Sequence, residues 1–160
     1  MSLHDCKGFL DEASIRLTTQ CNLPNLSMPM TLWKFVIGGF LIVHGLIHVA
    51  VFLTPSSSDS PFDPRSSWLL SGAGDNAVNL VLVPLVLLSA VGFILSGLGV
   101  FSIVLPHEWW RTLAVLASAS SLLLLTVFFD KWFVPAIGID AGILIALLIA
   151  KVPSESFLSS

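Results

Sequence analysis

Two histidines, His44 and His48, interrupt an otherwise apolar stretch. Their spacing of four puts both imidazoles on one helix face, about 6 Å apart along the axis. Neutral imidazoles bind divalent transition metals, relay protons or hydrogen-bond a ligand's polar head. One carboxylate can join them. Asp140 lies in the middle of the last apolar stretch, where an aspartate costs about 2.5 to 3.5 kcal/mol, against about 0.3 to 0.6 gained per large aliphatic residue. Ionisable groups at such depth face protein or trapped water and mark sites. Asn79 lies at a similar depth in the second stretch, so the expected polar cluster is His44, His48, Asn79 and Asp140, with Asn76 and Asp130 nearer its rim. Within it, His44, His48 and Asp140 are the candidate ligands of a divalent metal.

Three uses of such a cluster compete. It can fasten helices by interhelical hydrogen bonds, worth about 0.6 kcal/mol each on average. It can hold a divalent metal or pass a proton between imidazole and carboxylate. It can also line a pocket for a lipid-like or quinone-like molecule. A bis-histidine haem is excluded, because two axial ligands approach from opposite faces and residues four apart on one helix cannot. His107, in the connection Pro106-His107-Glu108-Trp109, is expected to be a solvated interfacial residue, and His4 belongs to a polar tail.

The elements that position these residues follow from hydropathy. The 160 residues are 55% hydrophobic and only 11% charged, whereas a soluble domain carries about 25% charged residues. Roughly 20 predominantly apolar residues cross a hydrocarbon core of about 30 Å as a helix. Four stretches qualify, over about 32–53, 78–105, 113–129 and 134–150, with Lys34 near the start of the first and Pro84 near the start of the second. Residues 30–151 are therefore expected to form an all-α, membrane-embedded four-helix bundle with short loops. The link Asp130-Lys131-Trp132 has helical-hairpin length, which predicts antiparallel neighbours. The one substantial loop, residues 54–76, holds Pro55, Pro61 and Pro64, and its Trp68-Leu69-Leu70 reads as a dip into the headgroup region. Trp109, Trp110 and Trp132 fall at stretch ends, where an amphipathic indole prefers the interface.

Counting Lys and Arg predicts the orientation. With both termini inside, the inner face receives Lys7, Arg16, Lys34, Arg111 and Lys151, and the outer face Arg65 and Lys131. The expected location is the cell (inner) membrane, with both termini cytoplasmic. Residues 1–29 form a polar tail ending at Met28 and Met30, either a short cytoplasmic segment or the product of an upstream start, and 152–160 form a C-terminal tail. Cys6 and Cys21 both sit in the first tail, not as C-x-x-C, so a disulfide or redox centre is not expected.

Packing signals concentrate in small residues. Gly45 admits a close neighbour beside the histidines, and Gly92, Gly97 and Gly99 do so in the second stretch. Gly138, Gly142, Ala146 and Ala150 form a small-xxx-small stripe on the fourth helix, facing away from Asp140. That stripe packs either within the bundle or against a second copy in a homodimer.

The phrase HGLIHV in the first stretch, WLL after the loop, WW before the third and GIDAGILIALLIA in the fourth resemble small, mostly uncharacterised prokaryotic four-helix membrane proteins, some of them similar to the DoxX-like group. The resemblance covers about residues 30–151 and implies the fold and a membrane location. It carries no activity over, and the lack of thiols in the apolar region speaks against redox chemistry. Nucleic-acid binding is unsupported at a formal charge of −3 with no basic patch, and no phosphate-cradling loop is present. The expected function is thus that of a multi-pass membrane protein, an accessory or small-molecule-binding component. The alternative is a membrane enzyme or transporter with a His/Asp metal or proton site.

Overall fold

The computed structural model describes residues 30–53 and 63–153. The N-terminal tail with Cys6, Cys21 and His4, the loop positions Pro55, Asp59 and Pro61, and residues 154–160 lie outside the described residues. Among the described residues four helices follow in order: α1 (Met30–Leu53), α2 (Asp75–Val100), α3 (Trp110–Val127) and α4 (Val134–Leu144), the last prolonged by a π-helical turn, Ile145–Ile149. The 3-10 turns His107–Trp109 and Lys131–Phe133 lead into α3 and α4. No strand occurs among the described residues. With their lead-in turns, all four helices are long and apolar enough to cross a membrane.

The architecture is a four-helix bundle in which helices adjacent in sequence pack side by side, as short connections require. An even number of helices returns the chain to its starting end: Val36 and Ile37 of α1 line one cleft with Val152 and Pro153. Two apolar layers stack along the bundle. One gathers Leu41, Phe93, Val100, Trp110, Ala114, Ala117 and Leu147. The other gathers Phe52, Leu82, Val86, Leu124, Leu125 and Phe128 with Phe133.

Glycine sets how closely the helices approach. A Cβ added to Gly45 would stand 2.7 Å from the Ala90 carbonyl oxygen, and one on Gly97 would stand 2.6 Å from the Gly38 carbonyl oxygen. Gly38 and Gly45 are seven residues apart on α1, and Ala90 and Gly97 seven apart on α2, so the antiparallel pair touches at two levels. Between α2 and α3, Gly92 meets Ala117 and Gly99 meets Trp110.

Several boundaries differ from expectation. α2 stops at Val100, not at 105, because Ser102 takes φ 56°. Ser102 N–H then bonds Gly99 O at 3.0 Å and Ile103 N–H bonds Leu98 O at 3.2 Å, the two bonds of a Schellman stop. Hydropathy could not see this stop, since the residues beyond it are apolar too. A serine at positive φ is strained relative to glycine. Ser102→Gly is therefore expected to stabilise the protein by about 0.5 kcal/mol in a detergent unfolding titration, and a loss would show that the Ser102 side chain contributes more than its backbone costs. Pro84 lies more than two turns inside α2, since the helix begins at Asp75.

Tryptophan placement also needs one correction. Trp33, Trp68, Trp109 and Trp132 are exposed, but Trp110 is buried beneath Gly99. Its position at the start of α3 turns it inward, while its neighbour Trp109 points out. The connection after α1 docks on the end of α3: Ser67 Oγ donates to Val127 O at 2.6 Å and Trp68 Nε1 donates to Thr126 O at 2.8 Å. These bonds satisfy carbonyls that a helix C-terminus leaves free. Asp130 accepts from Trp132 N–H at 3.0 Å and so opens the turn into α4.

The outside of the bundle is apolar, with Phe35, Leu80, Leu88, Leu116, Ile145 and Ile149 all exposed. Gly138 and Gly142 belong to this outer surface, and a Cβ on either would meet nothing within 4 Å. Burial of Asp140 on the opposite side turns these two glycines outward, while Ala146 of the same stripe is half-buried and lines a cleft with Ile37, Leu41 and Trp110.

Candidate functional site

Between the two apolar layers the bundle buries one polar network. His44 and His48 of α1, Ser121 of α3 and Asp140 of α4 are all buried, Ser121 and Asp140 completely. His44 Nε2 lies 2.9 Å from Asp140 Oδ1, and Ser121 Oγ donates to Asp140 Oδ2 at 2.5 Å. His48 Nε2 lies 3.0 Å from Ser121 Oγ. A hydroxyl has one proton, and Ser121 gives its proton to Asp140, so His48 Nε2–H is the donor to Ser121. Asp140 accepts on both oxygens, which is how a carboxylate is tolerated in an apolar interior.

Aromatic rings hold the imidazoles. Phe40, His44, His48 and Phe52 follow one another at intervals of four along α1. Phe40 stacks on His44 at 5.7 Å between centroids and Phe52 on His48 at 6.4 Å. From α2, Phe93 meets His44 edge-on at 4.7 Å and lies parallel to His48 at 6.0 Å. Gly45 makes this possible, because Phe93 Cβ would be only 3.1 Å from any side chain placed there. The surrounding rings restrict each imidazole.

His44, His48 and Asp140 each offer a ligand atom within 4.8 Å of the others. A tetrahedral zinc with bonds of about 2.0 to 2.1 Å separates its ligands by roughly 3.3 Å. A contraction of roughly 1.5 Å at most brings the three onto one ion. Two imidazoles and a carboxylate match zinc, iron, copper or nickel better than calcium or magnesium. Among the described residues no other His, Cys, Asp or Glu joins the group.

The structure brings together three of the four residues expected from sequence. Asn79 is half-buried near the start of α2, and no hydrogen bond links its side chain to either histidine or to Asp140. Its depth was suitable but its rotation around α2 is not, since the contact from that helix comes from Phe93, four turns further on. Ser121 takes the place expected for Asn79. Serine escapes notice in an apolar helix because its hydroxyl is cheap to bury and often bonds its own backbone. Asn76 is exposed, and Asp130 is spent on capping. His107 is half-buried rather than solvated, with its Nε2 enclosed and unpartnered and its ring 6.3 Å from that of Trp110.

No family model, no curated protein and no solved structure matches this chain. Its chemistry rests on the geometry of the network alone.

Proposed function

We propose that this chain is a multi-pass integral membrane protein of the cell (inner) membrane that binds a divalent transition metal through His44, His48 and Asp140. The carrying observation is the convergence of two imidazoles and one carboxylate, all buried, with ligand atoms within 4.8 Å. Ser121 supports the assignment, since a hydrogen bond to Oδ2 leaves Oδ1 of Asp140 facing the histidines, and metal-binding carboxylates are oriented by such outer partners. The apolar perimeter and four sufficiently long helices support the bilayer as its surroundings. Five Lys and Arg against two favour cytoplasmic termini. A homodimer through Gly138, Gly142, Ala146 and Ala150 is the partner this reading favours, because Gly138 and Gly142 are open on the outer surface.

One observation favours a second role. The network satisfies itself by hydrogen bonds from His44, His48 and Ser121, so the same residues also fasten α1, α3 and α4 without any ion. Elemental analysis in mild detergent separates the two. Metal binding predicts about one zinc, iron, copper or nickel ion per chain in the wild type and none in the His44→Ala, His48→Ala double variant. Absence of metal from the wild type after incubation with each of these ions would leave only the fastening role.

A further inference from the structure

Ser118 carries the one buried side-chain hydroxyl without a hydrogen-bond partner among the described residues. It is completely enclosed. Hydroxyls within helices commonly bond a carbonyl one turn back, and Ser89, Ser120 and Thr126 do so here, to Leu85 O, Ala117 O and Leu122 O. Ser96 reaches across to Trp110 O instead. Ser118 does neither, and a buried orphan hydroxyl calls for a partner such as a held water or a ligand atom.

Ser118 lies one turn before Ser121, which bonds both His48 and Asp140. α1 and α3 run parallel, and His48 meets Ser121, with Leu41 and Ala114 in the apolar layer on one side of this contact and Phe52 and Leu125 in the layer on the other. Counted back along both helices from that contact, Ser118 and Gly45 each lie three residues before it. Ser118 is thus on the same helix face as Ser121 and about 4.5 Å nearer the His44 level.

The donor count bears on what else such a metal would bind. His44, His48 and Asp140 are three, and among the described residues no other His, Cys, Asp or Glu joins them. Three protein ligands with an open fourth position distinguish zinc sites that carry an exchangeable water from closed structural ones.

We infer that the Ser118 hydroxyl positions a water in the fourth coordination position of a metal held by His44, His48 and Asp140. This rests on the metal assignment proposed above and makes the site one that exchanges a small ligand, water or a small anion. Ser121 orients the carboxylate, and Ser118 orients the molecule that the metal exchanges. Neither serine is itself a ligand.

Cobalt(II) loaded into the metal-free, full-length protein in mild detergent reports on this directly, since its visible bands follow coordination number and ligand identity. The wild type is expected to take up one cobalt per chain and to shift its bands on addition of thiocyanate. Ser118→Ala is expected to bind cobalt with the same stoichiometry, to show altered bands before thiocyanate, and to bind thiocyanate about 3- to 10-fold more tightly, the water having lost one hydrogen bond. Ser118→Thr, which keeps the hydroxyl, is expected to restore the wild-type spectrum. Cobalt bound by the wild type with bands indifferent to thiocyanate would mean a closed site and overturn the inference, whatever the variants do. Unchanged bands and thiocyanate affinity in Ser118→Ala would overturn it as well. No cobalt in the wild type would overturn the metal assignment itself, a result distinguishable from both.

Discussion

Asp140→Ala is expected to destabilise the folded bundle by about 2 to 4 kcal/mol, even though it makes the fourth helix easier to insert. Two opposing magnitudes decide this. An aspartate at a helix centre costs about 2.5 to 3.5 kcal/mol on insertion, so its removal favours the inserted but unassembled helix. In the assembled bundle, Asp140 is the common acceptor for His44 and Ser121. Its loss leaves two buried donors unsatisfied, at about 1 to 3 kcal/mol each, and removes the polar link from α4 to α1. The isolated helix gains and the bundle loses. Asp140→Asn keeps an acceptor oxygen and a similar volume, so about 1 kcal/mol is expected, with metal uptake abolished or sharply weakened in both variants. Unfolding titrations in detergent followed by tryptophan fluorescence would measure the difference. A cost below about 0.5 kcal/mol for Asp140→Ala would mean that the histidines and Ser121 find other partners.

Gly45→Leu is expected to be comparably damaging, by a mechanism that involves no charge. A Cβ at Gly45 already stands 2.7 Å from a backbone oxygen of α2, and 3.1 Å from both Phe93 Cβ and an Ile94 side-chain carbon. A backbone carbonyl inside a helix cannot turn aside, so the two helices must separate. Overpacking of this kind costs about 1 to 3 kcal/mol and occasionally more. Here the displaced element carries Phe93, which holds both imidazole rings, so the damage extends to the site. Gly39→Leu on the same helix is the control, because a Cβ there meets nothing within 4 Å. The expected pattern is a loss of about 3 kcal/mol and of metal binding at Gly45, with little change at Gly39. Equal effects at both positions would show that leucine acts through helix propensity or detergent packing rather than through the α1–α2 contact.

The two apolar layers and the polar network between them also explain why these variants affect stability and site together. Phe93 belongs to the apolar layer and to the imidazole cage at once. Leu41 and Phe52 flank His44 and His48 along α1 and pack into different layers. Among the described residues the site is thus built from core side chains.

Much of the fold was legible in hydropathy, because spanning helices need long apolar runs and this chain has four. His44, His48 and Asp140 were legible for the complementary reason, since titratable groups inside such runs are expensive and therefore conspicuous. Gly45 could be read as a contact point from its missing side chain. Rotation about each helix axis could not be read, because apolar runs look alike on every face when the outside of the bundle is as apolar as its core. That ambiguity hid the outward turn of Gly138 and Gly142, the burial of Trp110 and the failure of Asn79 to join the network. It also hid Ser121 and Ser118, whose small hydroxyls cost too little to stand out along the chain. Only packing distinguishes a serine whose hydroxyl returns to its own backbone from one facing a carboxylate. The bundle makes that distinction by bringing side chains of α1, α3 and α4 together at His44, His48, Ser121 and Asp140.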